Sequence, residues 1–290
     1  MTRIAPVTVV IPAFNAAQFL AVTLESLQQQ TMVPEQVILV DDGSTDDTLE
    51  IARRFGVTCL QQSQAGPGSA RNRGLHEAKS EFIAFLDADD WYVPDKLEKS
   101  IEHLELLGAA CVSTDAWCVR GDRIERRRND RRVVPAAITL EQLLRGNPVV
   151  CSTVVARRTT VLDVGGFDER PELIATEDYD LWLRMAHREP IAYLPDPLTF
   201  YRTHAGSLSV NKRFLSGVDS ILERIAKEHA GEAHFQNLVL RRRAEARLDL
   251  AWDLMAEGSR EEAKALIAEA GQLSNSWKVW KMKLHSLLHR

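Results

Sequence analysis

Short apolar runs alternate with amphipathic segments over the first hundred residues. The apolar runs cover residues 7–11, 37–40, 57–60 and 82–86. Between them, apolar side chains recur every three or four positions, as at Leu20, Leu24 and Leu27, and this spacing predicts helices. Continuous apolar strands separated by helices are typical of a parallel sheet with helices on both faces. The pattern therefore predicts an α/β fold built on a mostly parallel sheet flanked by helices.

Acidic and amide side chains follow three of these predicted strands. They are Asn15 after the first strand, Asp41 and Asp42 after the second, and Asp87 and Asp89 after the fourth. Ligands of parallel sheets bind just beyond the carboxyl ends of the strands, so we expect these side chains to share one crevice. Carboxylates this close repel each other unless a cation or a hydrogen-bond network holds them. The pattern predicts a ligand site, although any single acidic strand end is also compatible with a capped turn in water.

The loop after the first strand narrows the choice of ligand. A dinucleotide site would place G-x-G-x-x-G there, but "IPAFNAAQF" has no glycine. A P-loop is absent from the sequence, as is the Gly- and Arg-rich phosphate loop of a nucleotidyltransferase. The remaining ligand is a nucleotide held by its base and ribose, with its diphosphate bridged to carboxylates by a divalent cation. An Asp-x-Asp pair on a loop suits Mg²⁺ or Mn²⁺, because these cations prefer oxygen ligands.

Composition and charge exclude several other classes. The chain has 290 residues, and its net charge of −5 argues against a general nucleic-acid-binding protein. Its four cysteines are scattered without paired spacing, which is typical of a reduced interior rather than of disulfide or zinc sites. No stretch approaches the roughly 20 apolar residues that a membrane span needs. We therefore expect a cytoplasmic protein, with peripheral attachment to the inner face of the cell membrane as the alternative.

Five segments between about residues 5 and 205 resemble the motifs of the family 2 glycosyltransferases, which have the GT-A fold. In order and spacing they are "VVIPAFNAAQFLAVTLESLQQQT", "VILVDDGSTDDT", "GPGSARNRGL", "FIAFLDADDWYVPDKL" and "ATEDYDLWLRM". The resemblance implies transfer of a sugar from a nucleotide-sugar donor, a UDP-sugar, with inversion at the anomeric carbon. The implied acceptor is the hydroxyl of a saccharide or lipid-linked saccharide in bacterial surface polysaccharide synthesis.

The resemblance also implies which residues hold the nucleotide. Asp42, supported by Asp41, matches the aspartate that accepts a hydrogen bond from the base, and uracil offers its N3–H as the donor. Arg71 in "ARNRG" resembles the basic residue beside the nucleotide. The loop that lines the nucleotide corresponds to Pro12, Ala13 and Asn15.

The implied metal site centres on "FLDADD". Asp87 and Asp89 match the Asp-x-Asp pair, with Asp89 as the direct ligand of Mn²⁺ or Mg²⁺, while Asp90 caps or orients nearby backbone. In "FYRTHAGSLS", Arg202 is predicted to pair with the phosphates because its guanidinium is permanently charged and forked. His204 is predicted to join the metal or the phosphates, with a surface histidine as an equal alternative.

The segment "TEDYDLW" supplies the predicted general base. By register with the family motif this base is Asp178, which would accept the proton of the acceptor hydroxyl. We expect its pKa to stay near the ordinary value, because proton transfer comes late in a dissociative displacement. The alternative is that Glu177 and Asp178 only favour the dipole of the helix that starts there.

Two other functional classes share part of this pattern. A sugar-phosphate nucleotidyltransferase would have the sheet and the metal but would need no base at Asp178. A non-catalytic nucleotide-sugar-binding protein would keep Asp42 and Asp89, yet would lose nothing when Asp178 becomes Asn.

The pattern of the chain changes near residue 212. We predict a GT-A catalytic domain over residues 1–212 and a helical region over 213–290, which contains a pair of helices similar to one tetratricopeptide-type repeat. Its last helix aligns Trp277 and Trp280 on one face, predicted to pack on the protein, with a membrane-surface helix as the alternative. Residues 120–132 contain seven arginines and three acids. We interpret them as a solvated loop or hairpin, the alternative being contact with an anionic lipid-phosphate carrier.

Overall fold

The computed structural model describes residues 3–203 and 212–288, and these residues form two compact units. The first unit contains the described residues up to Leu140, together with Pro148–Glu169 and the chain from Glu177 to the end of the last strand. The second contains Glu141–Asn147, Arg170–Thr176 and the helices from residue 212 onward. Each unit has a hydrophobic core of its own.

Within the described residues, the strands form one ten-stranded sheet. Its order is β3-β2-β1-β4-β9-β6-β10-β5, with β7 paired to β6 and β8 paired to β10. The strands are β1 (Arg3–Ala13), β2 (Met32–Asp41), β3 (Thr58–Gln61), β4 (Phe82–Phe85), β5 (Trp91–Tyr92), β6 (Cys111–Arg120), β7 (Arg123–Arg127), β8 (Ala137–Ile138), β9 (Val154–Arg157) and β10 (Ile191–Arg202).

The predicted α/β class is confirmed, and the first four strands form a purely parallel section of the sheet. There β1 pairs in parallel with β2 and β4, and β2 pairs in parallel with β3. Beyond β4 the sheet is mixed, because β9 runs antiparallel to both β4 and β6 while β6 and β10 are parallel. A short 3₁₀ turn, Cys151–Thr153, leads directly into β9.

The helices bury the apolar positions that predicted them. Leu20, Leu24 and Leu27 of the first helix are all buried, and so is Trp182. Up to residue 188 the helices are α1 (Leu20–Gln28), α2 (Thr48–Arg54), α3 (Pro67–Glu77), α4 (Lys96–Leu107), α5 (Leu140–Arg145), α6 (Arg158–Asp163) and α7 (Glu177–Arg188).

Helix α3 lies unusually close to the centre of the sheet. A Cβ atom added at Gly74 would lie 2.9 Å from Cγ2 of Val10 and closer still to Cγ1. Val10 belongs to β1, which is paired on both sides, and it is fully buried. The absence of a side chain at Gly74 therefore sets the distance between α3 and the sheet, and α3 carries Arg71 toward the strand ends.

The second unit is helical, as predicted for the C-terminal region. Its long helices are α8 (Lys212–Glu228), α9 (Ala233–Ala256), α10 (Arg260–Leu273) and α11 (Trp277–Leu288). The core that joins the last three is rich in small side chains, which let the helices approach closely: Ala244, Leu248, Ala251, Ala263, Ile267, Ala270 and Val279. Among the described residues, no helix combines the length and the apolar character that crossing a bilayer requires.

The prediction that Trp277 and Trp280 form the packed face of α11 is wrong. Their exposed fractions are 69% and 53%, and their rings stack on each other with centroids 4.6 Å apart. Helix α11 packs instead through Val279, which is 3% exposed. Trp277 lies two positions before Val279 and Trp280 one position after it, so both tryptophans lie on other faces of the helix than Val279.

Candidate active site

The three strand ends predicted to meet do lie side by side. Strand β1 lies between β2 and β4, and Ala13 is opposite Asp41 in the parallel register. The backbone N–H of Asp42 donates to the carbonyl oxygen of Ala13 at 2.8 Å, and the N–H of Leu86 donates to Val10 at 3.0 Å. The loops that follow these strands therefore share the carboxyl edge of the sheet, where parallel sheets hold their ligands.

Asn15 connects the loops after β1 and β2. Its backbone has a φ of +49°, a left-handed conformation that asparagine adopts more readily than most residues. Its side-chain oxygen accepts a hydrogen bond from the N–H of Thr45 at 2.8 Å, and its own N–H donates to Ser44 Oγ at 2.9 Å. Asn15 thus fixes the loop after β1 against the loop after β2, whereas Pro12 and Ala13, predicted as part of that loop, are the last residues of β1.

Asp42 is held by the loop that leads into α3. Its Oδ1 accepts from the N–H of Ala65 at 2.8 Å and from Gln62 Nε2 at 2.9 Å, and its Oδ2 accepts from the N–H of Gly66 at 2.8 Å. The neighbouring Asp41 accepts from the N–H of Ser44 at 3.2 Å. A carboxylate has about four acceptor positions, so three bonds orient Asp42 and leave one position for a donor such as uracil N3–H.

The turn of the Asp-x-Asp pair is fastened by side chains from elsewhere in the chain. Ser152 Oγ accepts from the N–H of Asp87 at 3.1 Å. Thr23 Oγ1 lies 2.9 Å from the carbonyl oxygen of Ala88 and 2.8 Å from that of Asp90, and its single proton is shared between them. The N–H of Asp90 donates to the carbonyl oxygen of Asp87 at 3.1 Å. These bonds satisfy the backbone of a charged turn and fix the directions of its side chains.

Arg202 completes this framework. Its Nε donates to the carbonyl oxygen of Asp89 at 3.1 Å. Its guanidinium carbon lies 4.8 Å from the ring centroid of Phe19 and 4.7 Å from that of Trp91, so cation–π attraction to both rings holds the group in place. Trp91 stacks in turn on Phe200, with centroids 4.9 Å apart. Arg202 therefore orients the turn, and its predicted contact with phosphates stays a prediction.

Asp90 is directed into the protein rather than toward a ligand. It is fully buried, and its Oδ1 accepts from the backbone N–H of Arg202 at 2.8 Å. Burial, together with the nearby carboxylates of Asp89 and Asp87, raises the pKa of Asp90 well above its usual value. The prediction that Asp90 orients backbone agrees with this geometry.

Arg71 links two parts of the site. Its Nη2 donates to Asp87 Oδ1 at 2.6 Å, and its Nη1 donates to Glu177 Oε1 at 2.7 Å. The guanidinium also lies 5.3 Å from the ring centroid of Phe167. Arg71, predicted to lie beside the nucleotide, thus joins the Asp-x-Asp turn to the first residue of α7. Its contact with a nucleotide is not tested by this geometry.

Asp178 follows Glu177 in the first turn of α7. Its Oδ1 accepts from the N–H of Tyr179 at 2.6 Å. Burial among protein atoms, and next the charge of Glu177, raise the pKa of Asp178 to about 7, against the opposing effect of Arg71. The expectation of an ordinary pKa is wrong, because the sequence does not show how far the carboxyl is removed from water. A carboxylate with this pKa is suited to accept a proton near neutral pH.

The described residues supply only part of a metal site. Asp87, 29% exposed, already gives one oxygen to Arg71, and Asp89 is partly exposed on the same turn. Within residues 3–203 and 212–288 no group of three or more His, Cys, Asp or Glu side chains is arranged to hold a metal ion. His204, the other predicted ligand, lies outside the described residues. Two carboxylates fit a hard divalent cation that takes its other ligands from phosphate oxygens and water.

Sequence reasoning missed the residues that support the site. Ser152, Thr23, Phe19 and Glu177 bond or stack with the predicted residues, but they belong to distant segments. Only Glu177 had a signal of its own, since it lies next to Asp178 in the quoted motif.

The mixed sheet flanked by helices has the GT-A fold. The family model for glycosyl transferase family 2 matches residues 8–166, and a second model, glycosyltransferase like family 2, matches residues 128–243. The chain therefore belongs to glycosyl transferase family 2 and is a glycosyltransferase. The alternative of a nucleotidyltransferase has no support from these matches.

Individual relatives agree with this assignment. The chain is 32% identical, over 71% of its length and 80% of the relative, to the UDP-Glc:alpha-D-GlcNAc-diphosphoundecaprenol beta-1,3-glucosyltransferase WfaP of Escherichia coli. It is 34% identical, over 66% of its length and 72% of the relative, to the amylovoran biosynthesis glycosyltransferase AmsE of Erwinia amylovora. The crystal structure of S. aureus TarS 1–349 with UDP-GlcNAc has a similar fold. Its TM-score is 0.70 at 20% identity, over 94% of this chain and 81% of that one.

Proposed function

We propose that this protein is an inverting, metal-dependent glycosyltransferase that moves a sugar from a UDP-sugar to a hydroxyl of a saccharide or lipid-linked saccharide. The observation that carries the proposal is the pair of bonds made by Arg71, which places the Asp-x-Asp turn and the N-terminus of α7 on one guanidinium. The proposed leaving-group site and the proposed base would thereby be held at a fixed separation, as a single displacement at the anomeric carbon requires.

The donor nucleotide is proposed to lie along the ends of β1 and β2. Asp42 would accept from uracil N3–H with its remaining acceptor position, and Pro12, Ala13 and Asn15 would line the base and ribose. A UDP donor is supported by the name of the WfaP relative and by the UDP-GlcNAc complex of TarS.

The metal is proposed to be Mn²⁺ or Mg²⁺, held by Asp89 and Asp87 with the donor diphosphate. When bound, such an ion stabilises the negative charge that develops on the leaving diphosphate. The residues of this chain hold the turn in place: Ser152 and Thr23 fix its backbone, and Arg202 fixes the carbonyl of Asp89.

Asp178 is proposed to be the general base. Its carboxylate would take the proton of the acceptor hydroxyl as the oxygen attacks the anomeric carbon from the face opposite the diphosphate, which inverts the configuration. A pKa raised to about 7 makes the carboxylate a stronger proton acceptor than an exposed aspartate. A non-catalytic binder would not need this group.

The proposal also covers the acceptor and the separate roles of residues 1–212 and 213–290. Surface polysaccharide synthesis is supported by the names of WfaP and AmsE, and a lipid-linked acceptor by that of WfaP. Such an acceptor would bring the enzyme to the surface of a membrane. We assign catalysis to residues 1–212, which include every proposed site residue, and treat 213–290 as a helical appendage.

Thermal stabilisation by ligands tests the donor and the metal together. The protein would be heated with a panel of nucleotides and nucleotide-sugars, with and without Mn²⁺. A shift produced by UDP and one UDP-sugar, and only with Mn²⁺, is expected. Asp89→Asn should remove that shift without changing the melting temperature of the free protein, whereas Asp163→Asn, an exposed acid at the end of α6, should keep it. Equal shifts for Asp89→Asn and the parent would disprove the metal assignment.

A further inference from the structure

The hairpin of β6 and β7 and the turn after it carry a charge opposite to that of the whole chain. Residues 120–132 contain seven arginines and three acids, whereas the chain has a net charge of −5. The arginines of this segment, called here the arginine hairpin, are Arg120, Arg123, Arg126, Arg127, Arg128, Arg131 and Arg132. Such a local surplus favours an anionic partner.

A buried carboxylate holds the arginine hairpin in a fixed form. Asp115 of β6 is 2% exposed, and its Oδ2 accepts from Arg127 Nε at 2.9 Å. Its Oδ1 accepts from both the backbone N–H and the side-chain amide of Asn129, each at 3.2 Å. Asn129 also donates to the carbonyl oxygen of Pro148 at 3.2 Å. The segment predicted as a solvated loop or hairpin is therefore a hairpin with an anchored base.

Part of its charge is available to a ligand. Arg123 and Arg131 are exposed, and within the part of the chain that the structure describes neither forms an ion pair with a carboxylate. Arg126 lies 3.6 Å from Asp130 in a pair whose side chains are both more than a third exposed, and such pairs contribute little to stability. An anion could therefore bind these guanidinium groups without first breaking a strong bond.

The tip of the hairpin lies one side chain away from the Asp-x-Asp turn. The carbonyl oxygen of Gly121, at the tip, accepts from Arg202 Nη1 at 3.4 Å. The same guanidinium donates through Nε to the carbonyl oxygen of Asp89. One guanidinium group thus spans the distance between the hairpin and the turn proposed to hold the leaving diphosphate.

We propose that the arginine hairpin binds the diphosphate of a lipid-linked acceptor through its exposed guanidinium groups, which include those of Arg123 and Arg131. This inference rests on the proposed function. A lipid-linked acceptor whose sugar hydroxyl reaches Asp178 carries its own diphosphate at the other end of the saccharide. Guanidinium groups suit that anion because their forked N–H donors match two phosphate oxygens at once. Binding energy from the diphosphate would position the hydroxyl for attack.

Titration with farnesyl diphosphate, a soluble prenyl diphosphate, tests the proposal. The titration is made at saturating UDP and Mn²⁺, so that the donor site is already filled. The double variant Arg123→Glu/Arg131→Glu should bind farnesyl diphosphate at least about tenfold more weakly than the parent, the effect of losing two charge-assisted bonds. The control Arg53→Glu/Arg260→Glu makes the same charge change at exposed sites on α2 and α10 and should bind like the parent.

Several outcomes would overturn the inference. Equal affinity in the parent and the hairpin variant would show that the diphosphate binds elsewhere. Equal binding of farnesol would show that only the apolar tail is recognised. If the hairpin variant lost binding to phosphatidylglycerol vesicles but kept its affinity for farnesyl diphosphate, the hairpin would be a membrane-binding surface instead. The uncharged pair Arg123→Gln/Arg131→Gln repeats the test if the Glu variant folds poorly. Failure of the proposed function is detected separately, because the parent protein would then not bind UDP and Mn²⁺ before farnesyl diphosphate is added.

Discussion

Arg71 and Glu177 form an ion pair in which Nη1 and Oε1 are 2.7 Å apart and each side chain is only 6% exposed. The two residues are 106 positions apart in the sequence, on α3 and α7. The second Nη group of Arg71 reaches Asp87, so three separate segments meet on one guanidinium. Charges removed from water this far are stable only when they are paired, which makes this contact a strong constraint on the site.

Replacing Arg71 by Met should therefore affect stability and activity together. The change leaves the carboxylate of Glu177 buried without its cation, and we expect a loss of about 3–5 kcal/mol in the free energy of unfolding. Urea denaturation gives this value directly. The double variant Arg71→Met/Glu177→Gln should recover much of the stability, because the buried side chain of Glu177 is then uncharged, but not the activity. Equal stability of Arg71→Met and the parent would contradict the pairing.

Asp178 should impose a pH dependence on the reaction. Its pKa is raised to about 7, so below that pH the carboxylate becomes protonated and can no longer accept a proton. We expect kcat/KM to fall about tenfold for each pH unit below the pKa, because kcat/KM follows the free enzyme. Asp178→Asn should abolish turnover while preserving the thermal shift with UDP and Mn²⁺. Asp163→Asn, as the control, should keep the profile of the parent, and full activity at pH 5 would exclude this assignment.

The same group should make the protein less stable at high pH. Between the unfolded pKa near 3.8 and the folded pKa of about 7, the folded state binds more protons than the unfolded state. The free energy of unfolding therefore falls as pH rises through this range. Without metal or donor, Asp178→Asn should be more stable than the parent at pH 8, by about 4 kcal/mol, and nearly as stable as the parent near pH 4. Chemical denaturation at the two pH values measures both differences.

The sequence predicted the residues at the strand ends but not the side chains that hold those residues in place. Parallel strands and acidic strand ends are local patterns, and Asp42 and Asp87 lie along the same edge of the sheet because β2, β1 and β4 run parallel and end there. Ser152 and Thr23 form hydrogen bonds with the Asp-x-Asp turn from segments 65 residues away in each direction, and no local sequence pattern predicts such contacts. The pKa of Asp178 was mispredicted for the same reason, since burial depends on the packing of several segments.

Lys96 gives a second pH-dependent prediction, with the opposite sign. It is fully buried, and its Nζ donates to the carbonyl oxygen of Thr153 at 2.6 Å and to Ser100 Oγ at 3.0 Å. Burial lowers the pKa of Lys96 to about 7, against the opposing effect of Cys111. Between pH 7 and the unfolded pKa near 10.5 the unfolded state binds more protons, so stability rises with pH.

Lys96→Met removes this dependence and provides its measurement. The stability of the parent relative to Lys96→Met should increase by about 2 kcal/mol between pH 7 and pH 9, and should be constant below pH 6. Urea denaturation of both proteins at these pH values gives the comparison. Parallel stability curves for the two proteins over pH 7–9 would show that Lys96 has an ordinary pKa and that water reaches it.

Gly74→Ala tests how closely α3 must approach the sheet. Inside a helix, replacement of glycine by alanine normally stabilises a protein by roughly 0.5–1 kcal/mol. Here the new Cβ would overlap both γ-carbons of Val10, which cannot yield because β1 is bonded on each side. We expect a loss of about 1–3 kcal/mol, measured by urea denaturation, and reduced turnover because α3 also carries Arg71. Val10→Ala/Gly74→Ala should lose less than the sum of the single losses, because the smaller side chain makes room. Additive losses would mean that α3 and β1 do not compete for this space.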